Sequence, residues 1–515
     1  MTKSLKWKAK IFIVQGHPNW VTVVAWIFWI GTVADLSAQP PDPFNESCHR
    51  IYEEILKLNF REAKSQLEIF SRDHLSPERK GAVLLLYNEL DFYQLFLTGS
   101  FTEFSAKKSN REQRIKTLGK LKLAEPWQKF MHAEINLHWA MMHVKFGEEI
   151  KGIQLLISGK QLLEQLAEDY PEFYYYKKSL GILLALLSTI PSEYQWAGKL
   201  VGLDGDIRTG KSMLLDFIEQ AEKDQSVFYQ EAIAAYSFIR CYLENKPLEG
   251  FQFWGHKMRK TDLAPVHVWT EAKLAFKAGY NQSAALVLQT LPPSHRDRLP
   301  ELWFLQGLAN LQSLELDQAD QNFTHYLKLD GGKDHIKEVW QKRAWIALLK
   351  GNLPNYHLYQ SNCLTLGDNI GEGNQQAYLD AKSGHKPDTL LLKARLLCDG
   401  GFGLRALQIL KDQEPLFAHE SSHSLEYHYR MGRIYQSINQ PEQSLLYFAK
   451  VLETQQIQNY LFANAQLQSG LIREGLFQRN QALKDYEAVL KLRPDRYQRS
   501  LHQKAKAGIS RLQLK

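Results

Sequence analysis

Residues 427–494 read YHYRMGRIYQSINQPEQSLLYFAKVLETQQIQNYLFANAQLQSGLIREGLFQRNQALKDYEAVLKLRP, and the spacing of their small and aromatic residues decides the fold. Met431, Gly432 and Tyr435 fall on one predicted helix, and Ser444 and Phe448 on the next, after the turn Asn439-Gln440-Pro441. Gly470 then precedes Ala482, Tyr486 and Pro494 at the same offsets. Small residues let two helices approach closely, and the aromatics fill the space between them. A hairpin of this kind cannot bury its apolar face alone, so it stacks on neighbours. The pattern therefore predicts an all-α fold of stacked helical hairpins.

The same spacing returns upstream. Ala272, Ala284 and Leu288 mark one hairpin, and Trp303, Gly307, Ala319 and Phe323 mark a second. Ala394, Leu397, Ala406 and Leu410 mark a third, closed by Pro415. Earlier still, Tyr194, Gly198 and Val201 precede a turn at 202–206, and Gly210 and Leu214 follow at the offsets of Ser444 and Phe448. Residues 340–350 read as a helix that stops at Gly351-Asn352-Leu353-Pro354. Residues 367–387, with Gly371, Gly373 and Gly384, are the least repeat-like and read as an insertion or a loop on the binding face. Nearer the start, Ile51 and Ile55 recur at helical spacing, Ala63 and Leu67 suit a second helix, and 100–110 is polar and turn-like. No alternating strand pattern with hairpin turns stands out.

These positions resemble the tetratricopeptide repeat, most clearly over residues 268–494. The resemblance implies a TPR-like α-solenoid, a right-handed superhelix of stacked hairpins, acting as a scaffold that binds a protein or peptide without catalysis, cofactor or metal. The packing residues it assigns are Gly198, Gly210, Trp303, Gly307, Ala319, Phe323, Ala394, Ala406, Gly432, Tyr435, Ser444, Phe448, Gly470, Ala482, Tyr486 and Pro494. The stretches 426–427, 432–435, 460–463 and 504–508 are similar to exported repeat proteins of Bacteroidetes-type bacteria. The turn at 202–210 is similar to the divergent Iml2-like repeat group. The implied division is a signal peptide or anchor at 1–38, helical hairpins at 39–110, divergent repeats at 111–265, the main array at 266–494, and a basic capping helix at 495–515.

Composition and charge agree with a large folded core. Hydrophobic residues make up 44% of the 515 and charged residues 23%, which excludes intrinsic disorder. Lys3, Lys6, Lys8 and Lys10 precede a mostly apolar run at 20–33, and Leu36-Ser37-Ala38 offers small residues for a signal peptidase. The run is shorter than the roughly 20 residues a spanning helix needs, so export with cleavage after Ala38 is the reading, with an uncleaved anchor as its rival. Four Lys against Asp35 place +3 of the formal +7 in this segment, leaving +4 for the rest, which argues against nucleic acid as the partner. Cys48, Cys241, Cys363 and Cys398 show no paired spacing and read as buried free thiols.

Two strings match enzyme signatures. Gly205-Asp206-Ile207-Arg208-Thr209-Gly210-Lys211-Ser212 fits a phosphate-binding loop, which needs a strand before it and free backbone amides within it. Here 196–201 belongs to a repeat helix by phase, and Gly210 is already a packing residue. His419-Glu420-Ser421-Ser422-His423 fits a zinc peptidase string, with His428 as third-ligand candidate, and needs both imidazoles on one helix face. Ser421 and Ser422 instead read as the start of a helix, which separates the two His. Neither string is assigned a catalytic role.

Overall fold

The computed structural model describes residues 42–98, 100–188, 203–258, 264–329, 334–369, 371–417 and 421–513, and these form helices and turns with no strand. The signal or anchor segment, Gly198 and the stretch 196–201 lie outside the described residues. Hairpin follows hairpin along the chain: α1 (Glu46–Leu56) with α2 (Phe60–Phe70), and α3 (Pro77–Thr98) with the short α4 (Phe101–Lys107) and α5 (Asn110–Leu118). Next come α6 (Glu125–Lys145) with α7 (Glu149–Asp169), α8 (Tyr176–Leu187) with α9 (Ile207–Lys223), and α10 (Tyr229–Phe238), extended by a π turn, with α11 (Pro247–Lys257). The array continues with α12 (Pro265–Lys277) and α13 (Asn281–Gln289), the single turn α14 (Pro293–Arg296), and α15 (Glu301–Gln312) with α16 (Leu316–Lys328). Then follow α17 (Ile336–Leu349) with α18 (Leu353–Thr365), the lone α19 (Glu372–Ser383), α20 (Thr389–Asp399) with α21 (Gly403–Leu410), and the single turn α22 (Glu414–Phe417). Last are α23 (Ser421–Ser437) with α24 (Pro441–Glu453), α25 (Tyr460–Gly475) with α26 (Arg479–Lys491), and α27 (Gln498–Gln513).

Close approach at small residues holds each hairpin. A Cβ on Gly307 would stand 2.7 Å from the Phe323 ring, one on Gly432 2.5 Å from Phe448, and one on Gly470 2.7 Å from Tyr486. Those rings, with Ala319, Ala394, Ala406, Ser444 and Ala482, are fully buried. Ser444 Oγ also donates to the Gly432 carbonyl at 2.7 Å, so the contact carries a buried hydrogen bond as well as dispersion. Trp303 is buried with its Nε1 donating to Asp297 Oδ1 at 2.8 Å. Tyr435 is half-buried and stacks on Tyr447, and Pro494 is buried just past α26. The turn between two helices of a pair repeatedly places one residue at positive φ: Gly147, Gly279, Gly351 and Gly401 where glycine is present, Leu314, Asn439 and Phe477 where it is not.

Two expectations need correction. Residues 100–110 are not a turn: Ser100 caps α4, accepting from the Glu103 amide at 3.2 Å, and Phe104 is fully buried against Phe146. One aromatic anchor among polar neighbours is enough to hold a helix there. Residues 367–387 contain α19, bounded by Gly371 and Gly384 at positive φ and buried through Ala377 and Ala381. Gly210 packs on Gly181 and Ala185 of α8, where its Cβ would meet the Gly181 carbonyl. The four cysteines are free; Cys48, Cys241 and Cys363 are buried, whereas Cys398 is half-buried.

Stacking is not uniform. α20 packs on α15 and α17, and Gly401 comes so close to the Gly279 carbonyl that no side chain fits. The last repeats therefore branch from the middle of the array, and α19 stands across from them. An ion pair between Asp380 of α19 and Arg496, just before α27, joins the two sides.

A candidate partner-binding face

In several first helices the small packing residue is followed by one that cannot also face the second helix, because each step turns 100° about the axis. Ala272, Ala344, Ala394 and Gly432 are followed by Lys273, Trp345, Arg395 and Arg433. Trp345, 5% exposed, lies between two cations: Lys342 Nζ is 4.3 Å and the Arg395 guanidinium 4.9 Å from its ring centre. On α23, Arg430 donates to Glu426 Oε1 through Nε at 3.0 Å and Nη2 at 2.6 Å. Arg433 Nη1 reaches Tyr429 Oη at 3.5 Å, while its Nε is buried without a partner.

A row of amides continues this face. Gln436 donates to Gln468 at 3.0 Å, Gln468 to Asn464 at 3.1 Å, and Asn464 to Tyr429 Oη at 2.8 Å. Tyr460 and Tyr497 meet at 5.5 Å, with the Arg496 guanidinium 5.8 Å from the Tyr460 ring. The charges belong to one space. Burial alone lowers the pKa of Arg430 and of Arg433, but Glu426 beside the first and Tyr429 beside the second carry both above the ordinary value. Burial likewise lowers Arg395, and the nearby Arg430 adds to that, yet Asp399, Tyr460 and Tyr497 leave it raised.

Two further polar clusters are structural. His335 Nδ1 donates to Glu338 Oε2 at 2.9 Å, and its Nε2 lies 3.7 Å from Glu301, with Lys342 3.4 Å from Glu338. Burial opposes its charge, but the two carboxylates raise its pKa to about 9. In the N-terminal half, Lys178 Nζ sits 2.8 Å from Glu134 and 3.3 Å from Glu231, and Glu89 lies 3.5 Å from His138 Nδ1. All five are buried, which withholds them from a large ligand.

The enzyme-like strings fold as helix starts. Asp206 Oδ1 caps α9 by accepting from the Thr209 amide at 2.7 Å, and the Gly210 amide donates to the Asp206 carbonyl at 3.0 Å. Amides that a phosphate loop would present are thus engaged, and Lys211 Nζ is held by Glu244 at 2.6 Å. His419 and Glu420 lie outside the described residues. His423 stands 6.3 Å from His385, whereas His428 faces Glu414 and Tyr447, so those two imidazoles do not converge. Among the described residues no group of three His, Cys, Asp or Glu is placed to hold a metal, and no helix is long and apolar enough to cross a membrane.

Sequence reasoning assigned the packing residues and left Trp345, Arg395, Arg430, Arg433 and Asn464 unassigned. A usable signal was present: a charged or aromatic residue directly after the small packing residue cannot be accommodated between the two helices.

No protein-family model matches the chain, and no curated protein matches it. Solved structures do. The TPR domain of P58(IPK) is 14% identical over 73% of this chain and 99% of that one, with a TM-score of 0.21. A monomeric mutant of IFIT1 with Gppp-AAAA is 12% identical over 92% and 94%, with a TM-score of 0.33. The APC/C hetero-tetramer Cut9-Hcn1 is 12% identical over 89% and 96%, with a TM-score of 0.26. At these scores the superpositions carry no detail of path or ligand. The hairpin geometry itself, a small residue set against an aromatic that closes the gap, is like that of tetratricopeptide repeats, and the described residues form an all-α, TPR-like array of stacked hairpins.

Proposed function

We propose that this chain is a non-catalytic repeat scaffold that holds a protein or peptide partner along the face built by α20, α23 and α25, and that it works in the cell envelope. The observation that supports this most is the run of Arg395, Arg430, Arg433, Tyr429, Asn464 and Gln468 on consecutive first helices, where an array without a ligand would need only solvated polar residues. Arginine and tyrosine are among the side chains that anchor protein interfaces. Nucleic acid is not the proposed partner, because the chain beyond residue 38 carries a formal charge of only +4.

The test is capture of partners by the full chain and by a variant with Arg395→Glu and Arg433→Glu, compared by quantitative mass spectrometry. Specific partners should be lost from the variant while its helical signal and melting stay unchanged. Equal recovery on both would contradict the proposal.

A second reading, a membrane-anchored assembly component of the envelope, is favoured by the Lys-rich start before the apolar run at 20–33. The sequence of the mature N-terminus decides it: a start at Gln39 supports release by cleavage, and retention of residues 1–38 supports the anchor.

A further inference from the structure

We infer that a primary ammonium group binds in a small cavity where α1 and α3 meet α10, α11 and α12, its charge taken by Glu231 and its carbon end covered by aromatic rings. The site is separate from the partner-binding face and does not depend on it.

Five helices wall the cavity. Tyr52 comes from α1, Tyr93 from α3, Glu231 and Ala234 from α10, Trp254 from α11 and His267 from α12. Its volume of about 20 Å³ admits one or two groups the size of water. Gln230, also on the wall, is half-buried, so that side reaches solvent.

Glu231 is the unmatched group in this wall. Lys178 Nζ lies 2.8 Å from Glu134 and 3.3 Å from Glu231 Oε2, so one ammonium serves two carboxyl groups. Ser179 donates to Glu134 as well, whereas Glu231, 6% exposed, has its Oε1 buried without a hydrogen-bond partner. A buried carboxyl oxygen that no donor meets is costly, and a ligand that donates to it removes the cost. Burial raises the pKa of Glu231 well above 4.5 against Lys178, and Glu134 and Glu89 add to the rise. Glu231 by itself therefore keeps a proton; an ammonium that enters replaces it, and the proton passes to solvent.

The rest of the wall selects for carbon next to the charge. Trp254 Nε1 donates to Glu271 at 3.2 Å, so this ring offers the cavity carbon surface and no competing N–H. Tyr52 and Tyr93 add two more aromatic rings, and such rings attract an ammonium while covering the carbon attached to it. A divalent metal needs several oxygen or nitrogen donors, and among the described residues no three His, Cys, Asp or Glu converge to supply them. A free amine and the end of a lysyl side chain share the chemistry that fits, and the test separates them.

Methylammonium chloride is titrated into the full chain and followed by saturation-transfer NMR of its methyl protons. It should bind saturably in the millimolar range, as suits so small a ligand. Methanol, of similar size and uncharged, should bind about tenfold more weakly, and potassium chloride should not compete. Glu231→Gln should weaken methylammonium about tenfold or more, and Ala234→Val, which fills the cavity and leaves every charge in place, should do the same. Glu487→Gln, which removes an exposed carboxylate on α26, should change nothing. Thermal melts verify that the variants fold; if neither does, the comparison with methanol and potassium on the parent chain decides. Tighter binding of Nα-acetyl-lysine amide than of methylammonium assigns the ammonium to a side chain, and weaker binding assigns it to a free amine. Methanol binding as well as methylammonium, displacement by potassium, or binding indifferent to both Glu231→Gln and Ala234→Val would overturn the inference. Absence of saturable binding by either amine would overturn it too and leave the cavity a site for water.

Discussion

A methyl group added at Gly432 would stand 2.5 Å from the buried Phe448 ring, and helix and ring cannot both keep their places. Gly432→Ala should destabilise the chain by about 1–3 kcal/mol, seen as a lower denaturation midpoint, despite the better helix propensity of alanine. Phe477 makes the opposite case. It is 89% exposed and held at φ 60°, where a bulky side chain costs about 1–2 kcal/mol. Phe477→Gly should raise the denaturation midpoint, since little packing is lost. Glu89 concerns protons. It is buried with both carboxyl oxygens unbonded, and burial holds its pKa well above the ordinary 4.5 in spite of Lys178. The native state therefore keeps a proton that the unfolded chain releases above 4.5, so this group's contribution to stability falls as pH rises from there. Glu89→Gln should flatten that part of the stability profile and leave the variant more stable than the parent at neutral pH, which chemical denaturation across the pH range would measure.

At the scale of the helix and the hairpin, His335 ties α15 to α17. Its pKa is raised from 6.5 to about 9 by Glu301 and Glu338 against the effect of burial. The stabilisation is fully present below 6.5 and is lost as pH rises through about 9. His335→Gln should remove that loss and reduce stability near neutral pH, measurable as melting temperature against pH. The hairpins themselves were legible because Gly, Ser and Ala recur at a fixed distance from Phe or Tyr, a pattern that only close helix packing explains. Helix α4 was not legible, since its one buried anchor, Phe104, gives no period. Helix α19 was hidden by glycines that turn out to bound it: Gly371 and Gly384 take positive φ at its ends. The inner face was overlooked for a different reason. Arg395 and Arg433 carry no motif, and only the structure sets Arg395 on the Trp345 ring and Arg433 beside Tyr429.

At the scale of the molecule, the branch at α20 gives the solenoid an interior with charge on it. A uniform stack would place α19 and α27 far apart in space as they are in sequence; here Asp380 and Arg496 meet. The outer helices carry isolated exposed leucines such as Leu446, and the inner face carries the arginines, tyrosines and amides. The account therefore depends on which side of the array the partner touches. A photo-reactive amino acid placed at Gln468 on the inner face, or at Leu446 on the outer one, tests this directly when the full chain is irradiated with its captured partners. The account predicts a cross-linked partner from position 468 and none from position 446; cross-linking from 446 alone would contradict it.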